Sequence, residues 1–267
     1  MTVRVAVAGV AGRMGSRIAA LVVESGEFEL VGATESPSHE VQGKDVGELL
    51  GLGRLDVVVT DDMERAAADA DGIIDFTTPE VTMANVACAR RSGKAMVIGT
   101  TGFDEEQTAL LRRSTESFAC VLAPNMSVGV NVMFDIVRRT AGLLGEGYDV
   151  EIVELHHRYK EDAPSGTALK LAESVGGADR GRGAAEVLVF ARHGRSERRE
   201  GEIGLQSLRG GDVVGEHTVF FLGDGERIEI THRATSRDIF ARGALRAMGW
   251  VVGRPPGLYT MRDVLGI

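Results

Sequence analysis

Cysteine and the aromatic residues are scarce in this chain of 267 residues. Aromatic side chains make up 5% of the sequence, too few to form a platform on which nucleic-acid bases could stack. The two cysteines, Cys88 and Cys120, form no close-spaced motif, which excludes a disulfide scaffold and a cysteine-based metal cluster. Their apolar surroundings are typical of reduced, buried thiols and predict a cytoplasmic protein.

Long apolar runs and excess positive charge are also missing. No stretch approaches the ~20 apolar residues that span a bilayer, and the N-terminus enters a strand pattern at once. We therefore expect neither a membrane segment nor a signal peptide. The formal net charge of −9 argues against binding to nucleic acid or to an anionic membrane. The expected partner of such a protein is a small molecule.

The first motif is a glycine-rich turn between an apolar run at 4–8 and a helical stretch at 16–24. Strand, glycine turn and helix in this order let phosphate oxygens approach the backbone N–H groups at a helix start. Glu35 ends the second predicted strand, about 20 residues after the turn, where a carboxylate can bind the ribose hydroxyls of an adenine dinucleotide. The residues of the turn are Gly9, Val10, Ala11, Gly12, Arg13, Met14 and Gly15.

Short aliphatic runs, among them 56–60, 72–76, 95–98 and 119–122, alternate with helical spacing as far as residue 122, except for a polar, glycine-containing stretch at 36–54 that is expected to be irregular. This pattern predicts an α/β fold with a Rossmann-type, doubly wound parallel sheet. In such sheets ligands bind beyond the C-terminal strand ends, where small and hydroxyl residues suit a flat nicotinamide ring. The positions expected at that edge are Thr77, Thr78, Gly99, Thr100, Thr101, Ala123, Pro124 and Asn125.

From residue 127 the pattern changes to β-type runs with few helices between them, which predicts an α+β domain with a mostly antiparallel sheet. Residues 238–250 return to helical spacing and are expected to pack on the first domain. The predicted dinucleotide-binding domain is therefore discontinuous, 1–126 with 237–267, and the substrate-binding and oligomerisation domain is 127–236. Strands of the second domain are predicted at 149–155, 186–191, 203–208, 213–221 and 226–232, with a loop at 176–183.

The segment from Glu154 to Thr167 concentrates acid–base and anion-binding residues. His156 and Lys160 lie four residues apart and share a face if the chain coils after the strand, which predicts a proton-transfer pair. After Pro164 the spacing predicts a helix with Ser165, Gly166 and Thr167 at its N-terminus, where an anion is favoured. Acids outnumber bases over residues 154–162, so anion binding here depends on geometry rather than on bulk positive charge.

Four segments together resemble the 4-hydroxy-tetrahydrodipicolinate reductase (dihydrodipicolinate reductase) family, and the resemblance extends over the full chain: 9–15, 97–103, 125–131 and 154–168. The resemblance implies NAD(P)H-dependent reduction of a cyclic dicarboxylate imine, with loss of water, in diaminopimelate and lysine biosynthesis. It implies His156 as proton donor and acceptor, Lys160 as second proton donor, and His157, Gly166 and Thr167 as substrate-carboxylate ligands. It also implies a cytoplasmic homotetramer. The cofactor-binding residues that it implies are Gly9, Val10, Ala11, Gly12, Arg13, Met14, Glu35, Gly99, Thr100, Thr101, Ala123, Pro124, Asn125 and Met126.

One departure from the family pattern bears on the cofactor. Members that use NADPH usually carry an arginine directly after the acid at the end of the second strand, and this chain has Ser36 there. Glu35 would repel a 2′-phosphate with no adjacent base to neutralise it. We therefore expect NADH to be preferred, with NADPH as the alternative, for which Arg13 or another distant base could provide.

Three other functions compete with this interpretation. A Rossmann dehydrogenase acting on another small amino or hydroxy acid shares the first half but leaves the 154–167 segment unexplained. A dinucleotide-sensing binding protein would need no acid–base pair. A metal hydrolase is disfavoured because adjacent histidines without a third nearby ligand rarely hold zinc, so no metal is expected. The roles of Asp162 and Arg237 stay open between a helix cap and an ion pair.

Overall fold

The computed structural model describes residues 2–177 and 188–267. The chain forms two compact units: unit 1 is Met1–Ser127 with Asp238–Gly266, and unit 2 is Val128–Arg237 with Ile267. Within the described residues, no helix combines the length and the apolar character that crossing a bilayer requires.

Unit 1 is built on a parallel sheet of seven strands. The strands are β1 (Val3–Ala8), β2 (Phe28–Thr34), β3 (Val59–Thr60), β4 (Gly72–Asp75), β5 (Ala95–Ile98), β6 (Ala119–Leu122) and β12 (Gly257–Tyr259). Their order is β12-β6-β5-β4-β1-β2-β3, and every pairing is parallel. The central strands are aliphatic and buried on both faces, as parallel strands between two helical layers must be. The predicted doubly wound sheet is confirmed.

Seven helices of the described residues belong to unit 1. They are α1 (Arg13–Glu24), α2 (Val46–Leu50), α3 (Met63–Ala66), α4 (Pro79–Ser92), α5 (Glu105–Ser114), α8 (Asp238–Val251) and α9 (Met261–Leu265). The late helix α8 packs against α1 and β5. Arg17 of α1 donates hydrogen bonds from Nε and Nη2 to Asp238, at 2.9 and 2.8 Å. The C-terminal segment is therefore part of the core of unit 1.

The stretch between β2 and β4 differs from its prediction in two respects. Residues 36–54, expected to be irregular, contain α2, whose N-terminus is capped by Asp45: its Oδ1 accepts from Gly47 N–H at 2.8 Å and from Glu48 N–H at 3.2 Å. The strand expected at 56–60 is reduced to β3, because Asp56 has a positive φ of 58° that interrupts the extended backbone.

Within the described residues, unit 2 is a five-stranded mixed sheet covered by two helices. Its strands are β7 (Asp149–His156), β8 (Leu188–Phe190), β9 (Ile203–Arg209), β10 (Gly215–Gly223) and β11 (Glu226–Ala234). Its helices are α6 (Val128–Leu144) and α7 (Gly166–Gly176). A 3₁₀ turn (Gly145–Gly147) follows α6, and the loop after β7 precedes α7. The order is β11-β10-β7-β9-β8. The ladders of β10 with β11 and with β7 are antiparallel, and those of β9 with β7 and β8 are parallel.

Every second side chain of β7 points towards the helices and is buried in unit 2. Val150 and Ile152 point to the side of the helices and pack with Val137 of α6 and Leu171 of α7. Glu154 and His156 continue the same alternation, so two polar side chains follow the core residues on its buried face. The predicted loop at 176–183 and the first residues of the predicted strand at 186–191 lie largely outside the described residues.

Gly15 is expected to be intolerant of even a methyl group. A Cβ at Gly15 would lie 2.0 Å from the carbonyl oxygen of Gly9, whereas a Cβ at Gly26, after the same helix, would meet nothing within 4 Å. Gly15→Ala should lower the stability of unit 1 by about 1–3 kcal/mol, as overpacking does. Gly26→Ala should change it by less than about 0.5 kcal/mol.

The fluorescence of Trp250, which lies in α8 of unit 1, provides the measurement during chemical unfolding. Equal midpoints for the two alanine variants would show that α1 does not depend on close approach to the turn.

Candidate active site

The glycine turn after β1 is closely packed in a way that only glycine permits. Gly9 has a φ of +66°, and its carbonyl accepts a hydrogen bond from Gly12 N–H at 2.9 Å. Gly15 allows α1 to start against this carbonyl. The turn therefore presents a helix N-terminus and backbone N–H groups without intervening side chains, which fits the pyrophosphate of a dinucleotide.

Glu35 is bonded to this turn. Its Oε2 accepts from Ala11 N–H at 3.0 Å, and its Oε1 accepts from Ser36 N–H at 2.8 Å. The carboxylate is thus fixed beside the turn, at the end of β2, by two backbone donors. Arg13 is exposed at the first position of α1.

A buried carboxylate at the end of β4, which sequence reasoning missed, joins two of the predicted edge segments. Asp75 is fully buried; its Oδ1 accepts from the hydroxyls of Thr77 at 2.6 Å and Thr82 at 3.1 Å, and its Oδ2 accepts from Asn85 at 2.8 Å. The hydroxyl oxygens of Thr82 and Thr100 lie 2.8 Å apart, within hydrogen-bonding distance. Thr100 therefore directs its hydroxyl into the protein. The local signal was an acid at the end of an otherwise aliphatic strand.

The segment after β6 is fixed at the same edge of the sheet. Ala123 N–H donates to Ile98 O at 3.1 Å, and Asn125 Oδ1 accepts from Ser127 N–H at 2.9 Å. Met126 is buried, and its carbonyl touches Gly243 of α8 so closely that a Cβ at Gly243 would lie 1.8 Å away. The segments 9–15, 99–101 and 123–126 follow three parallel strands and so share one sheet edge, as predicted.

In unit 2, His156 ends β7 beside a buried acid. His156 Nδ1 is hydrogen-bonded to Oε2 of Glu154, which is fully buried. Arg209 of β9 forms a bidentate ion pair with the same carboxylate, with Nη1–Oε2 and Nη2–Oε1 distances of 2.9 and 2.8 Å. Burial alone would raise the pKa of Glu154, but the hydrogen bonds from His156 and Arg209 outweigh burial and lower it to about 2.

A second histidine, His217 of β10, adjoins His156. The two rings meet edge to face with centroids 5.1 Å apart, and His217 Nε2 lies 3.2 Å from Ser165 Oγ. Burial and the neighbouring His156 lower the pKa of His217 to about 4. His217 is therefore neutral at physiological pH. Ser165 caps α7, since its Oγ also accepts from Ala168 N–H at 3.2 Å.

The loop between β7 and α7 carries the other predicted residues. Lys160 Nζ donates to both oxygens of Asp162, at 2.6 and 2.8 Å, so Asp162 is an ion-pair partner rather than a cap. His157 is half-buried, and its backbone N–H donates to Val213 O at 2.7 Å. Gly166 begins α7, and a Cβ there would meet nothing within 4 Å, so the helix start is open to a ligand. The predicted residues Thr167 and Gly166 thus form the first turn.

Glu154, His156 and His217 each offer one ligand atom within 4.8 Å of the others, which is close enough to suggest a metal site. Arg209 already occupies both oxygens of Glu154 with a cationic group. A metal ion there would have to displace a buried guanidinium. The structure does not test the expectation that no metal binds, so this expectation stays a prediction.

Comparison with known proteins now identifies the family. The family description "Dihydrodipicolinate reductase, N-terminus" matches residues 3–126, and "Dihydrodipicolinate reductase, C-terminus" matches residues 129–265. The chain belongs to the dihydrodipicolinate reductase family. The predicted family is confirmed, and so are the oxidoreductase class and the nicotinamide cofactor that the family's N-terminal domain implies.

Relatives in this family are similar over their full length. The chain is 52% identical over 265 residues to a 4-hydroxy-tetrahydrodipicolinate reductase of Anaeromyxobacter dehalogenans strain 2CP-1, covering 99% of this chain and 98% of that protein. It is 53% identical over 267 residues to the enzyme of that name from Myxococcus xanthus, with the same coverage. A dipicolinate-bound dihydrodipicolinate reductase from Paenisporosarcina sp. TG-14 shares the fold with a TM-score of 0.77, at 26% identity over 97% of this chain and 98% of that one.

The neutral, buried His217 predicts acid sensitivity of unit 2. Its folded-state pKa lies below the ordinary value of 6.5, so the unfolded chain binds this proton more tightly. The stabilisation is complete above pH 6.5 and is lost as the pH falls towards about 4. His217→Gln should flatten this dependence by up to about 1.4 kcal/mol per pH unit.

Native-state hydrogen exchange at the β7 and β10 amides, corrected for intrinsic exchange, measures the slope. His193→Gln, at an exposed histidine, is the control and should retain it. A slope unchanged in His217→Gln would contradict the assignment.

Proposed function

We propose that this chain reduces 4-hydroxy-tetrahydrodipicolinate to tetrahydrodipicolinate in lysine and diaminopimelate biosynthesis. One hydride and one proton enter the ring, and one water leaves. The observation that carries the proposal is the buried His156–Glu154 pair at the end of β7, beside the open helix start at Gly166. That arrangement provides an acid–base group next to an anion site, on a chain of the reductase family.

In unit 2, His156 transfers the proton, with Lys160 as the second proton donor. The substrate carries two carboxylates. Gly166 and Thr167 bind one of them through the first-turn amides and the Thr167 hydroxyl, and His157 provides a further carboxylate ligand. Arg209 donates to Asp162 O at 2.7 Å and thereby fixes the loop on which Lys160 lies.

In unit 1, the glycine turn binds the pyrophosphate and Glu35 binds the adenosine ribose. When bound, the reduced nicotinamide supplies the hydride. The sheet-edge residues limit the space available to its ring, and the buried Asp75 network keeps the loop at 99–101 in place. The residues assigned to the cofactor are Gly9, Val10, Ala11, Gly12, Arg13, Met14, Glu35, Gly99, Thr100, Thr101, Ala123, Pro124, Asn125 and Met126.

NADH is the preferred cofactor under this proposal. The Glu35 carboxylate is held beside the glycine turn by two backbone donors, and its negative charge there would repel a 2′-phosphate. Ser36 supplies no positive charge. Gln42 donates to the carbonyls of Glu35 and Ser36, at 2.7 and 3.0 Å, which restrains this backbone further.

We further propose that the chain is cytoplasmic and assembles as a homotetramer. The β7–β10 face that points away from the helices carries half-buried apolar side chains, which supports assembly through this sheet. They are Val153, Leu155, Phe220 and Leu222.

Removal of either proton donor should affect turnover far more than cofactor binding. His156→Ala and Lys160→Ala should each lower kcat by about 10²–10⁴-fold, the usual contribution of a general acid. NADH affinity should change little, because the glycine turn is untouched. The control is Lys170→Ala, which removes an exposed lysine of α7 paired with Glu173.

An assay that generates the unstable substrate enzymatically and follows NADH consumption gives kcat, and fluorescence titration gives NADH affinity. Normal turnover by both variants would require the role assignment to be abandoned.

Cofactor choice is tested by kcat/KM for NADH and NADPH. Wild-type protein should favour NADH, and Ser36→Arg should raise kcat/KM for NADPH because it places a guanidinium next to the 2′-phosphate. Arg13→Ala tests the alternative that Arg13 provides for NADPH. If Glu35 sets the preference, this variant should leave the ratio of kcat/KM for NADH to kcat/KM for NADPH unchanged. A clear advantage of NADPH in the wild type, lost in Arg13→Ala, would show that Arg13 overrides Glu35.

A further inference from the structure

Glu154 accepts hydrogen bonds from three different parts of unit 2. It is fully buried and accepts from Arg209 with both oxygens, from Ser165 N–H at 3.3 Å, and from His156 Nδ1. It lies two residues before His156 on β7, on the same face of the sheet. A buried charge persists only when such partners are present.

We propose that Glu154 is the positioning residue of His156, with Arg209 keeping Glu154 ionised. The inference rests on the proposed function, in which His156 transfers the proton. An ionised carboxylate can only accept, so the ring nitrogen facing it, Nδ1, must carry the hydrogen. Nε2 is then the nitrogen that exchanges a proton with substrate.

The surroundings of Nε2 agree with this assignment. Nε2 faces Gly215, and a Cβ at that position would lie 3.0 Å from it and 3.3 Å from Cδ2. Glycine at the start of β10 therefore leaves space at the nitrogen that must reach a ligand. The backbone that carries the ring is held in place, because Gly210 N–H donates to His156 O at 2.9 Å.

Arg209 prevents the carboxylate from taking the proton itself. Its bidentate contact and the hydrogen bond from His156 lower the pKa of Glu154 to about 2 despite burial, so the acid stays ionised when His156 gains or loses a proton. A fixed negative charge at Nδ1 then stabilises the imidazolium that proton donation requires.

The other titratable groups around His156 do not supply this charge. His217 of β10 is neutral near pH 7, and His232 of β11, in register with His217, also has a pKa lowered by burial. In the loop after β7, Lys160 and Asp162 neutralise each other. Glu154 is the one anion that the structure places in contact with His156 among the described residues.

Two measurements test the proposal: ¹⁵N NMR of histidine-labelled protein and the pH profile of kcat/KM. In wild type, His156 should show the Nδ1–H tautomer when neutral. Glu154→Gln should lower kcat by about 10²-fold with little change in KM, as loss of acid–base efficiency does. It should also change the pH profile of kcat/KM, because the negative charge beside Nδ1 is lost.

Glu151→Gln is a matched control. Glu151 lies on the same strand, points to the opposite face, and pairs with Arg192 and Arg198, so its loss also breaks partly buried ion pairs. It should lower stability without moving the pH profile. If Glu154→Gln fails to fold because Arg209 is left unpaired, Glu154→Gln/Arg209→Met removes both charges and is measured in the same way.

The outcomes separate the two proposals. A wild-type His156 with its hydrogen on Nε2, or a Glu154→Gln variant that loses only stability, overturns the positioning role. Full activity of His156→Ala, together with an altered ¹⁵N signature in Glu154→Gln, overturns the proposed function while the pairing of Glu154 with His156 stands.

Discussion

The arrangement of unit 2 depends on a carboxylate buried away from water. Glu154 would be strongly destabilising alone, and it is stabilised by a guanidinium from β9, an imidazole from β7 and an amide from the start of α7. One charge therefore fixes the ends of two strands, the start of a helix and the loop between them. A substrate site built on those ends takes its geometry from that charge.

In unit 1, a buried carboxylate is stabilised by neutral hydrogen-bond donors. Asp75 is equally buried but is surrounded by threonine hydroxyls and the Asn85 amide rather than by a cation. This network connects the segments after β4 and β5, at the edge where the cofactor is proposed to bind. The contrast fits the roles proposed for the two places, because loops that hold a cofactor must be fixed, whereas a proton-transfer group gains from a fixed charge.

The sequence predicted the elements whose signal is local. The aliphatic runs at 95–98 and 119–122 are strands with those bounds, and the turn at Gly9 follows β1 as expected. Three-residue β12 gave no such signal, because its strand character comes from pairing with β6. Arg209 and His217 were not predicted, since the register that pairs them with His156 and Glu154 joins residues far apart in the chain. Glu154 could have been found, because alternation places it on the face of His156.

The most direct measurement is a crystal structure of the protein with NADH and pyridine-2,6-dicarboxylate, an unreactive ring with two carboxylates. We predict one carboxylate at the backbone N–H groups of Gly166 and Thr167, and the ring within hydrogen-bonding reach of His156 Nε2, with Nδ1 still on Glu154. A ring bound away from the turn that follows Pro164 would contradict it.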